Sequence, residues 1–170
     1  MTVRSLHLLG SPVLRQRSAP VARVDDAVRR LVDDLFETMR AAKGVGLAAN
    51  QIGVAQRVAV VDVGEEHPPP LVLINPAIVE RSAETEIGEE GCLSIPEIFG
   101  DVERPMRVVV EALDRDGQRY RAEVGGYKAR AVQHEIDHLD GVLILDRTSR
   151  EQRKTAMRAL REAEQAAGVA

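Results

Sequence analysis

The chain has 170 residues, 44% of them apolar and 29% charged, enough to bury a core without disulfides or oligomerisation. A net charge of -4 gives no general reason to expect nucleic-acid binding, and no apolar run approaches the ~20 residues of a membrane-spanning helix. The opening MTVRSLHLLGSPVLRQRS is too briefly apolar for a signal peptide and the lone Cys92 cannot close an intramolecular disulfide, so one cytoplasmic domain over 1–170 is expected.

In chain order, the first strong periodicity lies in DDAVRRLVDDLFETMRAAKG, residues 25–44. Val28, Leu31, Val32, Leu35, Phe36, Met39 and Ala42 recur at helical spacing, which predicts a helix capped by Asp25 or Asp26 and closed by Gly44. Short β-type runs follow: RVAVVDV (57–63), LVLINP (71–76), RVVVEALD (107–114) and QRYRAEV (118–124). Asp116-Gly117 between the last two is a hairpin signal. GEEHPPP (64–70) reads as an exposed loop, because Pro68 to Pro70 have no N–H to give a sheet.

From about Lys128 helical spacing returns, with Ala129, Val132, Ile136 and Leu139 as an apolar stripe and Gly141 as a stop. VLIL (142–145) is expected as a short strand. The final TSREQRKTAMRALREAEQAAGVA is a third helix, covering 149–170, with a capping box from Thr148 to Glu151 and a narrow stripe of Ala156, Met157, Leu160 and Ala163. This order points to an α+β fold: several short, mainly antiparallel strands around a central helix, plus an N-terminal and a C-terminal helix.

The central helix carries AVQHEIDHLDG, residues 131–141. Residues four apart on a helix differ by ~40° in direction, so His134 and His138 share a face and can grip one cation. Glu135 points about 100° from His134 and about 60° from His138. That sets it beside the ion, where a general base for metal-assisted hydrolysis belongs. By chance the H-E-x-x-H spacing arises in on the order of one such chain in a hundred. Half of a sparse histidine set falls in it here, on a segment that reads independently as helix, and this outweighs two solvated surface histidines.

Two imidazoles do not make a tight site, and a catalytic ion usually has a third protein ligand. No histidine follows His138, and Cys92 in EEGCLSIP is the leading candidate. Gly91 before it removes bulk, Pro96 ends the run, and Glu89 and Glu90 ill suit simple apolar burial. From the residues alone two alternatives stay open. One is a metallopeptidase with Glu151 or Glu162 as third ligand and Cys92 structural. The other is a non-catalytic, metal-stapled binding module closed by His7 or His67.

GVGLAANQIG (44–53), EGCLSIP (90–96) and QHEIDHLDG (133–141) resemble, in order, the three signature motifs of peptide deformylase. GSPVLRQRSAPV (10–21) resembles that family's usual opening, so the likeness spans nearly the whole chain. The resemblance implies a hydrolase that removes the formyl group from the N-terminal formyl-methionine of newly made polypeptides and releases formate. It implies Cys92, His134 and His138 as metal ligands, Glu135 as catalytic acid/base, and Gln51 with the Leu93 N–H as oxyanion donors. Ferrous iron is the implied metal, with nickel, cobalt or, less well, zinc as substitutes. Val45, Gly46, Gly91 and Ala131, with Leu93 and His134, are implied to line the substrate pocket, where the peptide backbone pairs with a sheet edge. Glu90 and Arg104 are expected to pair and hold the Cys92 loop. The last helix, with Arg150, Arg153, Lys154, Arg158 and Arg161, is implied as a weak ribosome contact. No direct nucleic-acid recognition and no membrane association is expected.

Overall fold

The computed structural model describes residues 2–67 and 69–168. Pro68 of the expected loop and the final two residues of the expected C-terminal helix lie outside the described residues. Helix α1 (Asp26–Ala41) starts where the Asp25 carboxylate accepts from the Val28 N–H. It buries Val28, Leu31, Val32, Leu35 and Met39, with Phe36 half-buried beside them. Its end differs from expectation. Lys43, with φ of 58°, takes the left-handed position after the helix, and Gly44 donates one residue later to the Met39 carbonyl. Gly44 is small for another reason: a Cβ there would stand 2.7 Å from Leu93 Cδ1.

The strands are β1 (Gly46–Ala48), β2 (Val58–Val61), β3 (Leu71–Arg81), β4 (Thr85–Cys92), β5 (Ile95–Pro105), β6 (Arg107–Leu113) and β7 (Arg119–Gly125). They form an antiparallel sheet in the order β1-β2-β3-β6-β7 and a separate β4-β5 hairpin. β2 is buried on both faces, which is why its sequence is continuously apolar. Val58 and Val60 pack against α1, while Ala59 and Val61 pack against helix α2 (Gly126–Leu139) on the opposite face. The Asp116-Gly117 turn joins β6 to β7, as its sequence signals.

β3 runs past the expected stop at Pro76, because the pairing with β6 shifts register between Ile74 and Ala77 and so passes the residue that cannot donate. The β4-β5 hairpin has no counterpart among the sequence expectations. It places Cys92 at the end of a strand rather than in a loop. The Ala129, Val132, Ile136 and Leu139 stripe of α2 is buried as expected. VLIL is not a strand: Ile144 and Leu145 begin the short helix α3 (Ile144–Arg147), and the Asp146 carboxylate caps it by accepting from the Leu143 N–H. An apolar run this short carries no period that separates helix from strand.

Helix α4 (Arg150–Ala166) starts one residue later than the expected box. Ser149 is its cap and accepts from the Gln152 N–H, so Glu151 is not the reciprocal partner. Of the expected stripe only Ala156 is buried and Leu160 half-buried, while Met157 and Ala163 face solvent. Among the described residues no helix is long and apolar enough to cross a membrane.

Gly141 closes α2 with φ of 77°, and a Cβ there would meet the Arg15 carbonyl oxygen at 2.6 Å, whereas Gly64 has φ of 104° and nothing within 4 Å. Gly141→Ala should therefore lower the melting temperature by more than the roughly 2–8 °C that a left-handed alanine alone would cost, at ~1–2 kcal/mol and ~2–4 °C per kcal/mol. Gly64→Ala should show only that smaller drop. Equal midpoints for the two variants in a thermal melt would refute the packing argument.

Candidate active site

Three elements converge on one point. α2 presents His134 and His138 one turn apart, β4 ends at Cys92, and the 3-10 turn Ala49–Ile52 carries Gln51. The Nε2 atoms of His134 and His138 lie 3.1 Å apart, and Cys92 Sγ lies 3.3 Å from His138 Nε2. The three potential ligand atoms all fall within 4.8 Å of one another. A tetrahedral ion with bonds of ~2.1 Å to nitrogen would hold two such nitrogens about 3.4 Å apart. One thiol and two imidazoles at this spacing fit a divalent transition metal. Burial, and the neighbouring His134, hold the pKa of His138 well below the ordinary imidazole value, which keeps its lone pairs available.

Among the described residues this is the one group of such side chains placed to share an ion. Glu151 and Glu162 are exposed on α4, and His67 is exposed in its loop. His7 pairs instead with the Ser11 hydroxyl. None of the alternative ligands joins the cluster.

Glu90 organises the histidine. Its carboxylate accepts from Arg104 Nε at 2.6 Å and Nη2 at 2.8 Å, from Arg130 Nη1 at 2.7 Å, and from His134 Nδ1 at 3.0 Å. Burial pushes the Glu90 pKa up, but the bonds from Arg104 and His134 outweigh it and pull it down to about 2. An ionised Glu90 accepts from His134 Nδ1; against burial, the bonds to Cys92 and Glu90 raise the His134 pKa to about 10, so a cation would bind at Nε2 by displacing its proton while Nδ1 keeps its own. Arg104 reaches on to Asp137 at 2.8 Å, and Arg147 grips the same carboxylate with two bonds of 2.8 Å. The expected Glu90–Arg104 pair is thus present, inside a larger network.

Glu135 is buried beside the ring pair, with Oε1 3.9 Å from His134 Nε2 and no partner for Oε2 among the described residues. Burial pushes its pKa up to about 7, against the pull of His134. That value suits a group that accepts and returns a proton near neutral pH, although a bound cation would draw it down. Gln51 is buried with its amide oriented: Oε1 accepts from the Ala48 N–H at 3.0 Å, and Nε2 donates to Ser94 Oγ at 3.1 Å, 3.8 Å from Cys92 Sγ.

A cavity of about 550 Å³ opens over these groups. Val45, Gly46, Gly91, Leu93, Ala131 and His134, the residues named above for a substrate pocket, all line it. The glycines here answer contacts within the protein. A Cβ on Gly46 would stand 2.9 Å from Glu135 Oε1, and one on Gly91 2.7 Å from the Phe99 ring. Sequence reasoning missed Arg130 and Asp137, both part of the network behind the ligands. A single arginine among the apolar positions of a helix leaves no periodic trace, and Asp137 looked like any polar helix residue.

The family model for polypeptide deformylase matches residues 3–154. The peptide deformylase of Rhizobium meliloti (strain 1021) is 48% identical over 99% of this chain and 98% of its own length. That of Alkalilimnicola ehrlichii is 51% identical over 94% of this chain and 90% of its own. Among solved structures, peptide deformylase from Ehrlichia chaffeensis is 38% identical and covers 99% of this chain and 100% of its own, with a TM-score of 0.92. The same enzyme in complex with actinonin is 40% identical over 96% of this chain and 99% of its own, also with a TM-score of 0.92.

Arg104→Ala should leave two buried carboxylates short of a partner and destabilise the fold by about 3–5 kcal/mol. Urea unfolding measures this, and a loss below ~1 kcal/mol, the level of a surface pair, would show the network to be incidental. Acid provides a second check. The pKa of Glu90 lies lower in the fold, at about 2, than its ordinary 4.5. Its contribution is therefore complete above pH 4.5 and is lost as pH falls from there towards 2. Unfolding free energy should decline over that window, and the decline should be blunted in Glu90→Gln.

Proposed function

This chain belongs to the peptide deformylase family, and on that premise we propose that Cys92, His134 and His138 hold the divalent cation of a hydrolase whose proton carrier is Glu135. The enzyme removes the formyl group from the N-terminal formyl-methionine of new polypeptides and releases formate. The observation that carries the residue assignment is the convergence of one sulfur and two imidazole nitrogens beside Glu135 and Gln51, at the base of a cavity. When bound, the cation supplies Lewis-acid polarisation and a water of lowered pKa.

The rest is done by the chain itself. Glu135 accepts a proton from the attacking water as the new C–O bond forms at the formyl carbon. Gln51 Nε2 and the Leu93 N–H donate to the oxygen that gains charge. Glu135 then returns its proton to the amide nitrogen as the C–N bond breaks, leaving formate and a free amine. Glu90 holds His134 in the tautomer that this arrangement needs.

The formyl hydrogen takes up little room, whereas an acetyl methyl would press on the same groups. Val45, Leu93 and Ala131 offer an apolar wall to the methionine side chain. Such a pocket is worth only ~1–3 kcal/mol per methylene, so norleucine should be accepted as well. The edges of β1 and β4 flank the cavity, which supports pairing of the substrate backbone with a strand and tolerance of later residues.

We read ferrous iron as the native ion by family resemblance, and the same donors suit nickel, cobalt or zinc. The whole chain, 1–170, is read as one catalytic domain that works in the cytoplasm, where its substrates are made. The exposed cations Arg150, Arg153, Lys154, Arg158 and Arg161 on α4 support a weak contact with the ribosome.

Formate should be released from formyl-Met-Ala-Ser and not from its acetylated counterpart. Glu135→Ala should keep its metal and lose turnover, and retained near-normal rates would remove Glu135 from the mechanism. Gln51→Ala should lower kcat by roughly 10²–10³, the cost of one oxyanion donor.

A further inference from the structure

Arg130 belongs to none of the motifs, yet it touches three points of the hairpin that ends in Cys92. It lies one turn before His134 on α2, so both side chains reach Glu90 from the same helix face. Arg130 Nη1 donates to Glu90 Oε2 at 2.7 Å and to the Val102 carbonyl at 2.8 Å, while Nη2 donates to the Glu86 carbonyl at 2.8 Å. These partners span both strands, and Val102 is paired in register with Gly88. Gly88 is the seat of the guanidinium: a Cβ there would lie 2.9 Å from Arg130 Cζ. The Arg130 side chain is 12% exposed; its bonds to Glu90 and Val102 are part-buried, and the bond to Glu86 lies at the surface.

α2 carries two of the proposed ligands and β4 the third, so all three stay on one ion only while helix and hairpin keep their spacing. We propose that Arg130 is a positioning residue that bolts α2 to the β4-β5 hairpin and so governs how long the cation is retained. Arg104 crosses in the opposite direction, from the hairpin to Asp137 on α2, which keeps Glu90 paired and the fold intact when Arg130 is replaced. The inference rests on the metal-site reading given above.

The test uses full-length protein loaded with cobalt and measures metal release to an excess of chelator. Arg130→Met should release cobalt about 10- to 100-fold faster than wild type, the usual cost of losing a group that orients a ligand. Gly88→Ala, which unseats the guanidinium without removing its charge, should speed release in the same direction. Arg130→Lys should fall between, having one cation but no second arm. The visible absorption of bound cobalt should be unchanged in all three, because the ligands themselves are intact. Release as slow as wild type in Arg130→Met and Gly88→Ala would overturn this inference alone. So would faster release matched by an equal acceleration of global unfolding. Wild-type protein that takes up no cobalt would overturn the metal reading together with it.

Discussion

Glu90 places a full negative charge in the interior, and the site is arranged around the need to satisfy it. Each oxygen has two N–H donors, and these come from β5 and from two turns of α2. Taking a carboxylate and its guanidiniums out of water costs several kcal/mol per ion, and an apolar replacement of equal volume would often be as stable. Stability is therefore a weak reason for the network. Its geometric effect is stronger: an ionised Glu90 holds the Nδ1 side of His134, and the same oxygens tie the helix to the strand that ends in Cys92.

The scaffold supplies the distances on which this depends. β2 is packed from both sides, by α1 through Val58 and Val60 and by α2 through Ala59 and Val61. The sheet therefore cannot slip by one residue without exchanging its two faces. α2 is fixed on that platform by Ala129, Val132, Ile136 and Leu139, and the opposite side of the helix is left for the histidines. The close glycine contacts belong to the same logic. Gly46 lets β1 run against Glu135, and Gly44 gives Leu93 its space.

What was legible in the sequence follows from periodicity. α1 and α2 each bury one stripe, and β2 buries both faces, so their patterns survive in the residues. The β4-β5 hairpin does not, because its inward side is partly filled by Glu90 and Arg104 rather than by alternating aliphatics. Its polar interior looks like surface in one dimension. The four apolar residues at 142–145 carried no period, and the start of α4 turned on which of two adjacent hydroxyls became the cap. At the site, His134, Glu135 and His138 were readable from helical geometry alone. Cys92 was only the best of several candidates until the family motif supported it, since spacing along the chain cannot show that a distant strand will end beside a helix. Arg130 was invisible for the same reason.

The order of elements along the chain has a consequence for biosynthesis. Every strand of both sheets precedes α2, yet α2 supplies two imidazoles and Glu135. A polypeptide emerging amino end first thus presents Gln51 and Cys92 before His134 and His138, and the three-residue cluster can form only once α2 has been made. A chain that stops before His134 lacks both of the side chains that cluster with Cys92.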